Sequence, residues 1–163
     1  ISVFESAAIL TYLGRKFGQF YPSDERRRVA VDEWLAWQVA NVGPVFGQNG
    51  HFRNYAPEKV PYAITRFGNE VHRLYGVLNR RLEGRAFVCG DYSIADMALI
   101  GWVRNWQTRD IDIAEFPNVE RWAASVLARP AVERGIAIAA PTPPSDLATD
   151  QDAQKVLFGQ RAR

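Results

Sequence analysis

Four groups of polar side chains have types and spacings that can do chemistry. The first is Glu5-Ser6, which opens a run with helical periodicity. A helix start presents unpaired backbone N–H groups and a partial positive charge, which suits a carboxylate. Ser6 adds a hydroxyl donor and Glu5 an anion, so the pair can hold a zwitterionic amino-acid end: carboxylate on the helix start, ammonium on Glu5. Ser6 is equally an ordinary N-cap and Glu5 an ordinary surface acid. The second group is Gln48, Asn49 and His51, set among glycines and an aromatic. These side chains can hydrogen-bond a polar ligand or tie down a turn. His51 has no cysteine or second histidine at ligand spacing, so no metal site is read there. The third group, Thr65, Arg66, Asn69 and Arg73, lies off the apolar stripe of a helix and reads first as a solvated face. The fourth is Ser93 with Asp96, the only charge between Ile94 and Val103. Ser93 suits an N-cap, and Asp96 can reach back to its N–H in a capping box. Tyr92 and Met97 can add a hydrophobic staple. This group reads as a folding signal rather than a catalytic carboxylate.

Elements must position these residues. Ile1-Ser2-Val3-Phe4 reads as the end of a strand. A helix over 5–17 follows, with Ile9, Tyr12, Leu13 and Phe17 at helical spacing and Gly18 as its stop. A polar linker spans 19–24. The spacing then predicts a helix over 25–42, with Val31, Trp34, Leu35, Val39 and Val42 on one face, kinked or interrupted at Gly43-Pro44. The clearest helix spans 57–82, where Ile64, Phe67, Val71, Leu74, Leu78 and Leu82 form one stripe. The helix opened by Ser93 is apolar almost all round, which places it at the centre of a bundle. A helix starting near Pro117 runs to about residue 129, and Pro130 restarts a short one to about 138. From 140 onward Pro141, Pro143 and Pro144 open an extended polar tail. Its apolar end, Val156-Leu157-Phe158, is expected to dock on the body or on a partner subunit.

The chain has 163 residues, 47% hydrophobic and 23% charged, enough for one or at most two small domains with a real core. Net charge is only +2. The basic groups Arg26-Arg27-Arg28 and Arg80-Arg81 fall within helices as solvated faces, so no nucleic-acid partner is expected. The one cysteine, Cys89, excludes an internal disulfide framework and fits a reducing, cytoplasmic compartment. It reads as a structural thiol. No apolar run approaches the roughly 20 residues needed to span a membrane, and no signal peptide is expected. The chain starts in mid-pattern and is expected to be a fragment.

Several phrases resemble glutathione transferases. Phe4-Glu5-Ser6-Ala7-Ala8-Ile9-Leu10 is similar to the last strand-to-helix passage of that family's thioredoxin-like domain, with Ala7 where glycine is usual. The Ser93–Asp96 capping box resembles the signature of its C-terminal domain, and Phe116-Pro117-Asn118-Val119 its closing helices. Gly43-Pro44-Val45-Phe46-Gly47-Gln48-Asn49-Gly50-His51-Phe52 resembles the bacterial Nu-class and prion-type subgroup, often called disulfide-bond oxidoreductases, although histidine is common where this chain has Gly50. Pro61-Tyr62-Ala63-Ile64-Thr65-Arg66-Phe67 resembles the Nu-class phrase whose arginine meets a glutathione carboxylate.

The resemblance, from Val3 to about Ile138, implies an all-α fold. It would be the transferase C-terminal helical bundle, preceded by the final strand and helix of a truncated thioredoxin-like domain. The expected division is 1–18 remnant, 19–24 linker, 25–139 helical domain and 140–163 tail. The resemblance further implies a homodimeric enzyme using glutathione as cosubstrate. The reaction would be thiol–disulfide exchange with glutathione disulfide, or conjugation to an electrophile. Glu5, Ser6 and Arg66 would bind glutathione, and Gln48, Asn49 and His51 are substrate-side candidates. The thiolate-stabilising donors of the family lie on a segment outside this chain, so no catalytic residue is assigned. Two alternatives stay open: a non-catalytic interaction module of the same fold, and an inactive fragment.

Overall fold

The computed structural model describes residues 1–138 and 150–161. The helices among them are α1 (Ser6–Phe17), α2 (Glu25–Trp37), α3 (Gly43–Gly50), α4 (Pro61–Arg81), α5 (Ile94–Val103), α6 (Pro117–Leu127), α7 (Pro130–Ile138) and α8 (Gln151–Phe158). The described residues contain no strand, only two isolated bridges, Phe87 with Gly90 and Cys89 with Asp91. Residues 1–4, expected as a strand, are irregular. A strand needs a neighbour to take its N–H and C=O groups, and none lies beside them.

Helix α5 is the axis of the bundle. Ile94, Ala95, Leu99, Ile100 and Val103 are buried, and α1, α2 and α6 all pack against it. Ser93 caps it: its Oγ accepts from Ala95 N–H at 3.3 Å, and Asp96 Oδ2 accepts from Ser93 N–H at 2.9 Å. Asp96 has no exposed surface and does more than close this box. Its Oδ1 accepts from Val88 N–H at 3.0 Å and from the Trp122 indole Nε1–H at 2.8 Å. One carboxylate thus ties together the start of α5, the loop before it and α6. Burial holds the Asp96 carboxyl above the ordinary carboxylate range, against the pull of these donors.

The stripe on α4 packs into the core, with Val71, Leu74, Tyr75 and Leu78 buried. The helix begins at Pro61, four residues later than the periodicity suggests, because Pro61 sits at its first turn. Tyr75 donates its phenol to Val103 O at 2.9 Å, pinning α4 to the end of α5. The start of α6 is capped from α4: Asn79 Oδ1 accepts from Asn118 N–H at 2.9 Å and Val119 N–H at 3.3 Å. Arg81, read from sequence as part of a solvated face, instead donates Nε–H to Val88 O at 2.7 Å and lies over the Trp34 ring.

Between α2 and α3 the helical path does not break at Gly43-Pro44. It widens beforehand, over Gln38–Val42, and Gly43 N–H reaches back five residues to Gln38 O. The wider turn accommodates the proline, which cannot donate an N–H. It also alters the phase of the apolar face: Gln38 turns inward and Val39 is 42% exposed. A second wide turn, His51–Tyr55, closes with Ala56 N–H to His51 O at 2.8 Å.

Helix α1 is packed differently from its periodicity. Ala7 and Leu10 meet the cluster of Val31, Leu35, Ile94 and Ala95, whereas Ile9, Leu13 and Phe17 are exposed. Gly14 sits under the linker, where a Cβ would come within 2.6 Å of Tyr21 Cβ. Gly18 ends the helix in the left-handed region at φ 64°.

The expected extended tail lies partly outside the described residues, at 140–149 and 162–163. Its end is a helix, not an extended strand. Asp150 caps α8 by accepting from Asp152 and Ala153 N–H, and Phe158 sets its ring 4.6 Å from His51 and 6.2 Å from Tyr55.

Candidate functional site

Glu5 and Ser6 stand exposed at the start of α1. Glu5 has φ 68° and ψ 119°, a backbone conformation that a residue with a Cβ adopts only under strain. Its carbonyl accepts the first helical bond, from Ile9 N–H at 2.9 Å. No side chain caps the helix, so its leading N–H groups point outward past Ser6. The arrangement suits a carboxylate at the amides, with an anion alongside for a cation.

Arg66 lies exposed on the second turn of α4. Its Nη1 is 3.8 Å from Glu70 Oε2, a loose contact. Glu70 is held by Arg73 instead, through Nη2 to Oε1 at 2.6 Å and Nε to Oε2 at 3.0 Å. That bidentate pair draws the Glu70 carboxyl below its usual range and leaves the Arg66 fork open. No hydrogen bond or ion pair among the described residues joins Arg66 to Glu5 or Ser6. They sit on different packing partners, α1 on α5 and α4 on α3.

The three polar residues of the α3 region do not converge. Gln48 is exposed. Asn49 is fully buried with both amide atoms unpartnered, and its Nδ2 lies 4.0 Å from where a Cβ on Gly68 of α4 would stand. His51 is half-buried between Phe52 and Phe158. His72, on α4, pairs with Glu115 at 3.1 Å.

Cys89 lines a cleft of about 420 Å³ between the linker and the loop before α5. Burial pushes its thiol up to about 11, and Sγ donates to Ala30 O at 3.4 Å. This is a thiol kept protonated by its surroundings, not a nucleophile.

The sequence gives no hint of one further feature, the buried Arg109 beyond α5. Arginine in a turn reads as a surface residue, and only the fold reveals its burial.

Residues 66–130 match the family model described as "Glutathione S-transferase, C-terminal domain". The chain is 31% identical over 155 residues to the glutathione S-transferase-like protein tpcF of Aspergillus fumigatus, covering 84% of this chain and 69% of that one. The chain belongs to the glutathione S-transferase family. Within that family it is 46% identical over 137 residues to the disulfide-bond oxidoreductase YfcG of Escherichia coli, covering 83% of this chain and 64% of that one. A crystal structure of a glutathione transferase from Pseudomonas putida, with one glutathione disulfide bound per subunit, superimposes with a TM-score of 0.81 at 41% identity, covering 85% of this chain and 63% of that one. The chain thus spans less than two thirds of the length of the Escherichia coli and Pseudomonas putida relatives. The described residues form the helical C-terminal domain of the fold, with α1 against it.

Proposed function

We propose that the full-length protein is a glutathione-dependent disulfide-bond oxidoreductase of the Nu-class type, a cytoplasmic homodimer. The observation that carries the reading is Glu5. A strained, exposed, acidic residue at an uncapped helix start is a conformation that folding alone has no reason to select. The names of the relatives support the same direction, and so does the free fork of Arg66. Ser6 and the first amides of α1 take the γ-glutamyl carboxylate, and Glu5 takes its ammonium. Arg66 takes a carboxylate of glutathione or glutathione disulfide. Gln48, Asn49 and His51 are the substrate-side residues, with Gln48 exposed and Asn49 buried against α4. In the exchange, a glutathione thiolate attacks one sulfur of a disulfide. A new S–S bond forms, the old one breaks, and the electron pair leaves on the departing thiolate. The residues present bind and orient; none of them is assigned a proton transfer. Glutathione conjugation to an electrophile is the companion reaction of the same thiolate. No described helix is long and apolar enough to cross a membrane.

The test is turnover of hydroxyethyl disulfide with glutathione by the full-length protein, together with retention on immobilised glutathione. Saturable turnover and retention are expected. Retention without turnover would move the protein to the binding-module reading, and failure of both would remove glutathione from its function.

A further inference from the structure

We propose that the cleft between α3 and the turn following α5 is a binding site for a small organic anion with a planar apolar body, held by Arg109. The proposal is independent of the glutathione reading, since it uses none of Glu5, Ser6 or Arg66.

Arg109 is only 9% exposed. Among the described residues its Nη1 alone finds oxygen partners, Asn105 O at 2.8 Å and Thr108 Oγ1 at 3.3 Å. Nε is buried without a partner. The guanidinium lies over the Phe46 ring, 5.1 Å from its centre. No carboxylate among the described residues pairs with it. The neighbouring acid, Asp110, is turned outward and held by Arg53 at 3.2 Å. A buried cation without an anion is costly, and an anion brought from outside would relieve that cost.

Space for one exists. The cleft measures about 420 Å³ and has Arg109 and Phe46 in its wall. Tyr55 and Trp102 supply aromatic surface to it, and Asn54, Asn105 and Thr108 supply hydrogen-bonding groups at its edge. That composition, aromatic surface and hydrogen-bonding groups around one cation, suits an aryl carboxylate or aryl phosphate.

The third observation concerns α3. Gly47 and Gly50 are three residues apart on the helix side that forms the cleft. Neither has positive φ, and a Cβ on either would meet nothing within 4 Å. Each glycine costs a helix interior about 1 kcal/mol relative to alanine. Neither backbone conformation nor packing demands them. What they do is keep one wall of the cleft low and the way to Arg109 open.

Titrating the full-length protein with benzoate, followed by Trp fluorescence and isothermal calorimetry, tests this. Saturable binding on the order of 1 mM or tighter is expected, with benzyl alcohol at least about tenfold weaker. Phenyl phosphate and inorganic phosphate separate the two anion types and show whether the aryl body contributes. Arg109→Gln should weaken benzoate by about tenfold or more. Because Arg109 also binds the Asn105 carbonyl, that variant can lose stability. Gly50→Leu therefore provides the second arm: it fills the cleft from the opposite wall, leaves Arg109 in place and favours the helix. It should abolish benzoate binding without lowering Tm. Equal binding of benzoate and benzyl alcohol, or unchanged benzoate binding by Gly50→Leu, would overturn the proposal. So would the absence of saturation up to about 20 mM.

Discussion

Trp122 donates its indole N–H to Asp96 Oδ1 at 2.8 Å, and neither residue has exposed surface. The bond runs from α6 to the first turn of α5, so it fixes two helices relative to each other. Asp96 Oδ1 also serves Val88 N–H, and Oδ2 serves Ser93 N–H and Oγ. Each oxygen therefore faces at least one donor that cannot act as an acceptor. An amide placed here has an NH2 where one of those donors points. Asp96→Asn, although isosteric, is expected to cost about 1–3 kcal/mol of stability. Urea unfolding followed by Trp fluorescence checks this; an unchanged midpoint would show that the carboxylate is not the organising acceptor.

Asn79 carries out an N-cap from a neighbouring helix. Its Oδ1 takes the Asn118 and Val119 N–H groups at the start of α6, where Phe116 supplies no side-chain acceptor. Asn79→Ala should lower stability by about 0.5–2 kcal/mol, the range for a lost N-cap. Amide exchange at Asn118 and Val119 should accelerate more than that at the middle of α4.

Arg66 makes only the 3.8 Å contact with Glu70 and is exposed, so its removal should hardly change stability. In the full-length protein, Arg66→Ala is expected to raise KM for glutathione disulfide by about tenfold, the size of one charge-assisted carboxylate contact. Unchanged kinetics would take Arg66 out of the site.

Cys89 should be a slow thiol. With burial pushing its thiol up to about 11, the thiolate fraction near pH 8 is on the order of one thousandth, against about a quarter for a free cysteine. Alkylation of the native protein should lag that of the urea-unfolded chain by more than about a hundredfold and speed up through pH 9 to 10. The linkage runs the same way. The folded state holds this proton more tightly than the unfolded state, so its contribution to stability is complete below the unfolded thiol range. That contribution is lost as pH rises from about 8.5 towards 11. Native alkylation as fast as that of the unfolded chain would refute the assignment.

Local rules in the sequence were enough to specify α4, α5, α6 and α7, though not α3 or α8. Ser93 and Asp96 mark the start of α5 because a capping box uses only four neighbouring residues, and the structure has that box. The stripe along α4 is legible because a period of 3.6 needs no tertiary information. Pro117 and Pro130 mark the starts of α6 and α7 through the first-turn preference of proline. Glu5-Ser6 and Arg66 were legible as motifs, because local phrases carry them.

Tertiary packing decided which of these surfaces face inward. Ile9, Leu13 and Phe17 form a regular apolar face on α1, yet Ala7, Leu10 and Gly14 make its contact, since close approach to α5 and Tyr21 favours small side chains. Val39 and Gln38 exchange places because the wide turn ahead of Pro44 alters the helical phase, and no local pattern announces that turn. Arg81 reads as part of a solvated face, and Arg109 carries no sequence signal; both are held by backbone carbonyls of nearby turns, Val88 O and Asn105 O. Periodicity and capping are set by residues within one or two turns, whereas burial depends on how the backbone turns and on which element packs against it.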